Sequence, residues 1–124
     1  MNKKIISHLN NRSIVLVGMM GSGKTTIGKL LAEELELPFY DSDNEIEKNL
    51  GKKINDIFEE YGELFFRNEE LNFFEKKIKQ KQMIISSGGG SFMNEEIQKI
   101  IKKDCISIWL KASKETLINR LKNK

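Results

Sequence analysis

Four short apolar runs recur along the chain, and longer stretches with a different periodicity separate them. The runs cover residues 13–17, 39–40, 83–86 and 105–110. Short apolar runs bounded by turn residues are typical of buried strands. Between them the apolar residues recur at intervals of three and four, which indicates helices. Strands that alternate with helices predict βαβ units, and therefore a parallel sheet covered by helices on both faces.

Turn residues and caps give the expected bounds of six helices. Pro38 stops the first helix, Gly51 is a C-cap of the second, and Asn94 and Ser113 are N-caps of the last two. The helices are expected from the first glycine-rich loop to about Leu37, over residues 45–50, from Ile54 to near Gly62, from Leu64 to about Lys79, after Asn94, and after Ser113. We therefore expect one α/β domain over residues 1–124, with three layers in the order α/β/α.

Three polar or glycine-rich loops each follow an expected strand. They cover residues 18–24, 41–43 and 88–90. In parallel sheets of this kind, ligands bind at the carboxyl ends of the strands. Because all three loops belong to that edge, they are candidates for a single site.

The first loop lies within residues 18–26, which fit the phosphate-binding pattern G-x-x-x-x-G-K-[ST]. A strand precedes it and a helix follows, as the motif requires. Glycines expose backbone N–H groups, and the helix start adds a positive dipole end, so the loop attracts phosphate. Lys24 would reach the β- and γ-phosphates and the Thr25 hydroxyl would bind Mg²⁺. The pattern predicts a nucleoside triphosphate with magnesium.

The second loop places two carboxylates, Asp41 and Asp43, directly after a strand. Beside a magnesium nucleotide, one carboxylate can hold a metal-bound water and the other can accept a proton from an attacking hydroxyl. Both positions also suit the capping of a following helix. The spacing does not decide between these roles.

Arg67 and the glycine loop offer groups for a second ligand. Arg67 lies among aromatic residues, and its planar fork can bind a carboxylate or phosphate, with Glu70 three residues on to orient it. The residues alone favour a plain surface ion pair. Gly88, Gly89 and Gly90 allow close backbone approach and offer N–H donors, or they form a flexible turn. Three glycines after a buried strand favour the site.

Composition excludes several classes of partner. The formal net charge of +3 over 124 residues is mild and dispersed, which gives no nucleic-acid footprint, and the lysine-rich end is interpreted as a solvated face. No apolar run approaches the roughly 20 residues of a membrane span. Cys105 is the single cysteine, so a reducing, cytoplasmic location is expected. Cys105 and Trp109 are both expected in the core.

Four segments together resemble the shikimate kinase family of phosphate-loop kinases. They are the loop over residues 18–26, Phe39-Tyr40-Asp41-Ser42-Asp43, Phe66-Arg67-Asn68-Glu69-Glu70 and Ser87-Gly88-Gly89-Gly90. They stand in the family's order and near its spacing over nearly the whole chain. The resemblance implies ATP-dependent phosphorylation of shikimate to 3-phosphoshikimate, in aromatic amino-acid biosynthesis, by a monomer.

The resemblance also implies individual roles. The residues implied to hold the phosphates of ATP are Gly21, Ser22, Gly23, Lys24, Thr25 and Thr26. Thr25 and Asp41 would serve Mg²⁺, the latter through water. Asp43 would bind shikimate hydroxyls and act as the base, with Lys24 as the second catalytic residue. Arg67, supported by Glu70, would bind the shikimate carboxylate, and Gly88, Gly89 and Gly90 would line the pocket. Arg120 would pack on adenine.

Family members continue past the point that corresponds to Lys124. They have a mobile lid with Arg-Pro-Leu-Leu, a further strand, a second substrate-binding arginine and a last helix, whereas the one proline here is Pro38. We therefore expect four of the family's five strands and little or no turnover by this chain. The alternatives are a gluconate kinase-like enzyme of the same fold and a nucleotide-binding module without catalysis.

Overall fold

A computed structural model describes residues 11–18, 23–88 and 94–110. Its elements are β1 (Ser13–Gly18), α1 (Lys24–Leu35), β2 (Phe39–Asp41), α2 (Ser42–Leu50), α3 (Ile54–Tyr61), α4 (Glu63–Lys77), β3 (Ile84–Ser86), α5 (Glu95–Asp104) and β4 (Cys105–Leu110). All four expected strands and five of the expected helices are confirmed. The helix expected after Ser113 lies outside the described residues. No helix among the described residues is long and apolar enough to cross a membrane.

The four strands form one parallel sheet in the order β2-β3-β1-β4. β3 therefore lies between β1 and β2, and Ser86 near its end pairs with Leu16 of β1 and with Asp41 of β2. This register brings the carboxyl ends of the three strands side by side. The strand ends from which the three loops start consequently lie at the same edge of the sheet, as predicted.

Alternate residues of β1 supply the two faces of the core. Val15 and Val17 pack against α4 and α5, through Phe73, Phe74, Ile97 and Ile101 among others. Ile14 and Leu16 pack on the opposite face against Ala32 and Leu35 of α1. This arrangement is the predicted α/β/α order of layers. A third cluster, made of Ile46, Ile57 and Phe66, joins α2, α3 and α4 without a contribution from the sheet.

Several helix ends differ from the prediction by one to three residues, and two of them have a clear local cause. α1 ends at Leu35 rather than Leu37, because Glu36 adopts a left-handed φ of 57° and the N–H of Leu37 turns back to the carbonyl oxygen of Ala32 at 2.9 Å. α2 begins at Ser42, three residues before the expected start at Glu45, because Asp41 caps it by accepting the N–H of Asn44 at 3.1 Å.

The prediction that Cys105 and Trp109 both lie in the core is half right. Cys105 is buried, and burial raises the pKa of its thiol to about 12. Trp109 is 50% exposed, so the prediction is wrong for that residue. Ile106 and Ile108 of β4 pack towards α1, whereas Ser107 and Trp109 alternate with them and are exposed. An apolar strand does not reveal which of its faces is covered.

Candidate active site

The start of α1 provides the backbone donors of the phosphate-binding loop. Gly23 is the N-cap residue, with a left-handed φ of 89°, and among the described residues no side chain caps the first turn of the helix. No acidic residue stands in that turn. The uncapped N–H groups and the positive end of the helix dipole suit an anion. The predicted phosphate ligands Gly21 and Ser22 lie outside the described residues.

Lys24 extends from α1 back towards the end of β1. Its Nζ donates a hydrogen bond to the carbonyl oxygen of Gly18. Burial lowers the pKa of this ammonium group, while the charges of Asp43 and Asp41 act in the opposite direction. The cation therefore lies beside the end of β1 and within electrostatic reach of both carboxylates. The neighbouring Thr26 continues the first turn of α1.

Asp41 performs the capping role that the spacing allowed, and its second oxygen faces Thr25. Its Oδ1 accepts the N–H of Asn44, which caps α2, and its Oδ2 accepts the Thr25 hydroxyl at 3.4 Å. A hydroxyl and a carboxylate oxygen thus lie side by side at the start of α1. Both are hard oxygen donors of the kind that Mg²⁺ binds, so the residues present fit this ion.

Asp43 is the most perturbed carboxylate of the site. Its Oδ1 is buried and has no hydrogen-bond partner in the described part of the chain. Burial raises the pKa of Asp43 to about 6, and the charges of Glu70 and Asp41 add to the effect. The positive charges of Lys24 and Arg67 oppose it. A carboxylate in this state accepts a proton more readily than an ordinary aspartate near neutral pH.

Arg67 is held by carboxylates from its own helix. Its Nη1 donates to Oε1 of Glu70, and its Nε lies 3.6 Å from Oε1 of Glu63. Glu70 is fully buried and the Arg67 side chain is 23% exposed. The guanidinium also lies 5.4 Å from the centre of the Phe66 ring. The surface ion pair that the sequence favoured is therefore the wrong interpretation.

Gly88 approaches Asp43 closely, but it does not offer its N–H to a ligand. That N–H donates to the Ser42 hydroxyl oxygen at 2.9 Å. A Cβ atom at Gly88 would lie 2.4 Å from Oδ1 of Asp43. Gly88 is thus required for space and its N–H is used within the chain, while its place in lining the substrate pocket stays a prediction. The predicted residues Gly89, Gly90 and Arg120 lie outside the described residues.

The sequence interpretation missed two serines beside this site. Ser42 and Ser87 are both buried, and each makes a hydrogen bond to a distant segment of backbone. The hydroxyl and the N–H of Ser87 both donate to the carbonyl oxygen of Leu16, at 2.9 and 3.1 Å. The sequence contained a signal for both, because each serine stands next to a predicted site residue at the end of a strand.

Comparison with known proteins links this arrangement to one family. A family model described as "SKI: Shikimate kinase" matches residues 20–124. Among curated relatives, the shikimate kinase of Bartonella quintana is 45% identical over 119 residues, which is 96% of this chain and 57% of that protein. The shikimate kinase of Flavobacterium psychrophilum is 52% identical over 113 residues, 90% of this chain and 66% of the relative. The chain thus spans a little over half the length of the first of these relatives.

Solved structures give the same result. Shikimate kinase from Acinetobacter baumannii, in complex with shikimate, superposes with a TM-score of 0.80 at 36% identity, covering 93% of this chain and 64% of that one. Shikimate kinase from Aquifex aeolicus superposes with a TM-score of 0.77 at 37% identity, over 86% of this chain and 63% of the other. A gluconokinase from Sinorhizobium meliloti shares the fold at 20% identity and a TM-score of 0.51.

Proposed function

The chain belongs to the shikimate kinase family, and on that basis we propose that the protein transfers the γ-phosphoryl group of ATP to a hydroxyl of shikimate, giving 3-phosphoshikimate. The observation that carries the proposal is the position of Asp43. This half-buried carboxylate lies within the electrostatic reach of both Lys24 and Arg67. A base that is close to both a phosphate-binding cation and a carboxylate-binding cation suits the phosphorylation of a hydroxy acid.

The donor half of the proposed site is the start of α1. The uncapped N–H groups there and the Lys24 ammonium would bind the phosphates of ATP. Thr25 and Asp41 would hold Mg²⁺, which supplies charge neutralisation at the phosphates when it is bound. Phosphoryl transfer depends mostly on positioning and electrostatics, so the contribution of these residues is to fix the phosphates in place.

The acceptor half comprises Arg67 and Asp43. The guanidinium of Arg67 is oriented by Glu70 and would pair with the carboxylate of shikimate. The Asp43 carboxylate, whose Oδ1 has no hydrogen-bond partner in the described part of the chain, would accept a hydrogen bond from the reacting hydroxyl, and then its proton. Because the pKa of Asp43 is raised to about 6, this carboxylate is largely ionised at neutral pH and still accepts a proton readily.

The proposal extends to the setting of the enzyme. We expect a monomer in the cytoplasm, with a small molecule as partner rather than nucleic acid or a membrane. The dispersed charge and the single cysteine support this expectation. A gluconate kinase-like activity has weaker support, since the gluconokinase resemblance at 20% identity extends to the fold alone.

Two substitutions test the assignment of the two halves. Lys24→Ala should weaken ATP binding about tenfold or more and leave shikimate binding nearly unchanged, whereas Arg67→Ala should do the reverse. Calorimetry measures both affinities without requiring turnover. Equal effects on both ligands would refute the assignment.

Substrate identity needs a separate measurement. Binding and ADP release are compared for shikimate, gluconate and other hydroxy acids in the presence of ATP and Mg²⁺. A preference for gluconate would overturn the proposal in favour of the related kinase. Binding of ATP without binding of any hydroxy acid would indicate a nucleotide-binding module.

A further inference from the structure

We propose that Ser42 is a positioning residue of the acceptor site, which holds the backbone of Gly88 against Asp43 and so keeps one oxygen of the reactive carboxylate covered. The catalytic meaning of this inference rests on the proposed function, whereas the contacts from which it is argued do not. Ser42 stands between the two aspartates, where the sequence pattern assigned it no role.

The hydrogen bond of Ser42 joins two of the three loops of the site. The Ser42 side chain is fully buried in the first turn of α2, and its Oγ accepts the N–H of Gly88 at 2.9 Å. The regular pairing of β2 with β3 ends at Asp41 and Ser86. The side-chain hydrogen bond therefore extends the alignment of the two strands beyond the sheet, into the loops that carry the chemistry.

The same stretch of backbone is fixed from its other side. Ser87 makes two hydrogen bonds to the carbonyl oxygen of Leu16 in β1, through its hydroxyl and its N–H. The peptide that joins Ser87 to Gly88 is thus held between β1 and the start of α2. A backbone segment with a polar contact on each side has little freedom to move away from Asp43.

The position of Gly88 determines the surroundings of Asp43. A Cβ atom on Gly88 would fall 2.4 Å from Oδ1 of Asp43, so the glycine backbone already lies against that oxygen. Oδ1 is the buried atom that has no hydrogen-bond partner in the described part of the chain. If the Ser42 hydroxyl is removed, the N–H of Gly88 loses its acceptor and must find water. Water that reaches this N–H also reaches Oδ1.

Helix capping does not explain this arrangement. Asp41 already caps α2 through the N–H of Asn44, so the Ser42 hydroxyl is not needed to begin the helix. Its bond instead joins residues that are 46 positions apart in the chain. Ser42 therefore acts on the site through Gly88.

Ser13 offers a matched control. It is also a buried serine, and its Oγ accepts the N–H of Met83 at 3.0 Å between β1 and β3. It begins β1, so this bond lies at the opposite end of the sheet from the site. Ser42→Ala and Ser13→Ala each remove one buried hydroxyl that accepts a backbone N–H, and we expect similar losses of stability from the two.

The test compares these two variants in ligand binding and in hydrogen exchange of the Gly88 amide. Ser42→Ala should raise the shikimate dissociation constant about tenfold and leave that of ATP within about twofold, whereas Ser13→Ala should change neither. Exchange of the Gly88 N–H should become faster in Ser42→Ala alone, because that N–H loses its acceptor and meets water. Ser42→Thr retains the hydroxyl and should restore both properties.

Each outcome decides the proposal. Equal behaviour of Ser42→Ala and Ser13→Ala would overturn it and leave Ser42 a structural residue. If the unsubstituted protein fails to bind shikimate, the proposed function fails, and hydrogen exchange of the Gly88 amide alone decides whether Ser42 holds this backbone. If Ser42→Ala does not fold, Ser42→Cys replaces it, because a thiol of similar size is a poor acceptor. An unchanged exchange rate of the Gly88 amide in that variant would refute the proposal.

Discussion

Replacement of Asp43 by asparagine should make the chain more stable at neutral pH, although it removes the proposed base. The pKa of Asp43 lies at about 6 in the folded chain against an ordinary value of 3.8. A carboxyl with a raised pKa binds protons more tightly in the folded state, so its contribution to stability falls as pH rises between these values. The cost of ionisation is absent below pH 3.8 and complete above about pH 6.

The size of the effect follows from the difference between these two pKa values. A difference of about two pKa units corresponds to about 3 kcal/mol, at about 1.36 kcal/mol per unit. One side of the Asp43 carboxyl reaches solvent, which reduces the expected value to about 1–2 kcal/mol. The asparagine side chain carries no charge, so Asp43→Asn removes this cost. The raised stability is the opposite of what the loss of a stabilising ion pair would give.

The assay is urea unfolding of both proteins at about pH 4 and about pH 7.5. The free energy of unfolding of Asp43→Asn should exceed that of the unsubstituted chain by about 1–2 kcal/mol at the higher pH and by almost nothing at the lower one. Asp56→Asn on α3 is the control, because Asp56 is an exposed carboxylate in a first helical turn, and its removal should bring no gain. A loss of stability at the higher pH, or the same difference at both pH values, would refute the reasoning.

Two further substitutions separate roles that coincide in one residue. Gly88→Ala should reduce shikimate affinity at least about tenfold, because the added methyl displaces the Asp43 carboxylate, while calorimetric ATP affinity stays within about twofold. If the shikimate affinity is unaltered, the backbone at Gly88 accommodates the added methyl group without displacing Asp43, and this prediction is wrong. Asp41→Asn should keep the α2 cap and change urea-unfolding stability by less than about 0.5 kcal/mol, since asparagine caps as well as aspartate. It should nevertheless raise the Mg²⁺ concentration needed for ATP binding, and an unchanged requirement would remove Asp41 from the metal site.

The elements of the fold were predictable because each carries a local signal. Pro38, Gly51 and Asn94 mark helix ends in the sequence, and the strands are apolar runs between turns. The errors arise where a contact with a distant part of the chain determines whether a residue is buried. The exposure of Trp109 depends on what covers one face of β4, and neither composition nor periodicity contains that information.

The sequence predicted which residues form the site better than it predicted their burial and hydrogen bonds. The Arg67 and Glu70 pair resembles a surface contact in the sequence because spacing on a helix reveals nothing about burial. Its burial depends on the packing of Phe66 into the cluster shared by α2, α3 and α4. The bond from Gly88 to Ser42 likewise joins residues that only the sheet order brings together.

The single cysteine gives this chain a built-in reporter of its own opening. Cys105 begins β4, an outer strand of the sheet, where it pairs with Ser13 of β1 and is buried. With a thiol pKa of about 12, the reactive thiolate is on the order of one molecule in ten thousand at about pH 8 while the chain stays folded. Labelling by a thiol reagent therefore requires that β4 separate from its neighbours. Its rate measures how often the strand pair opens, with no dye, tag or substitution.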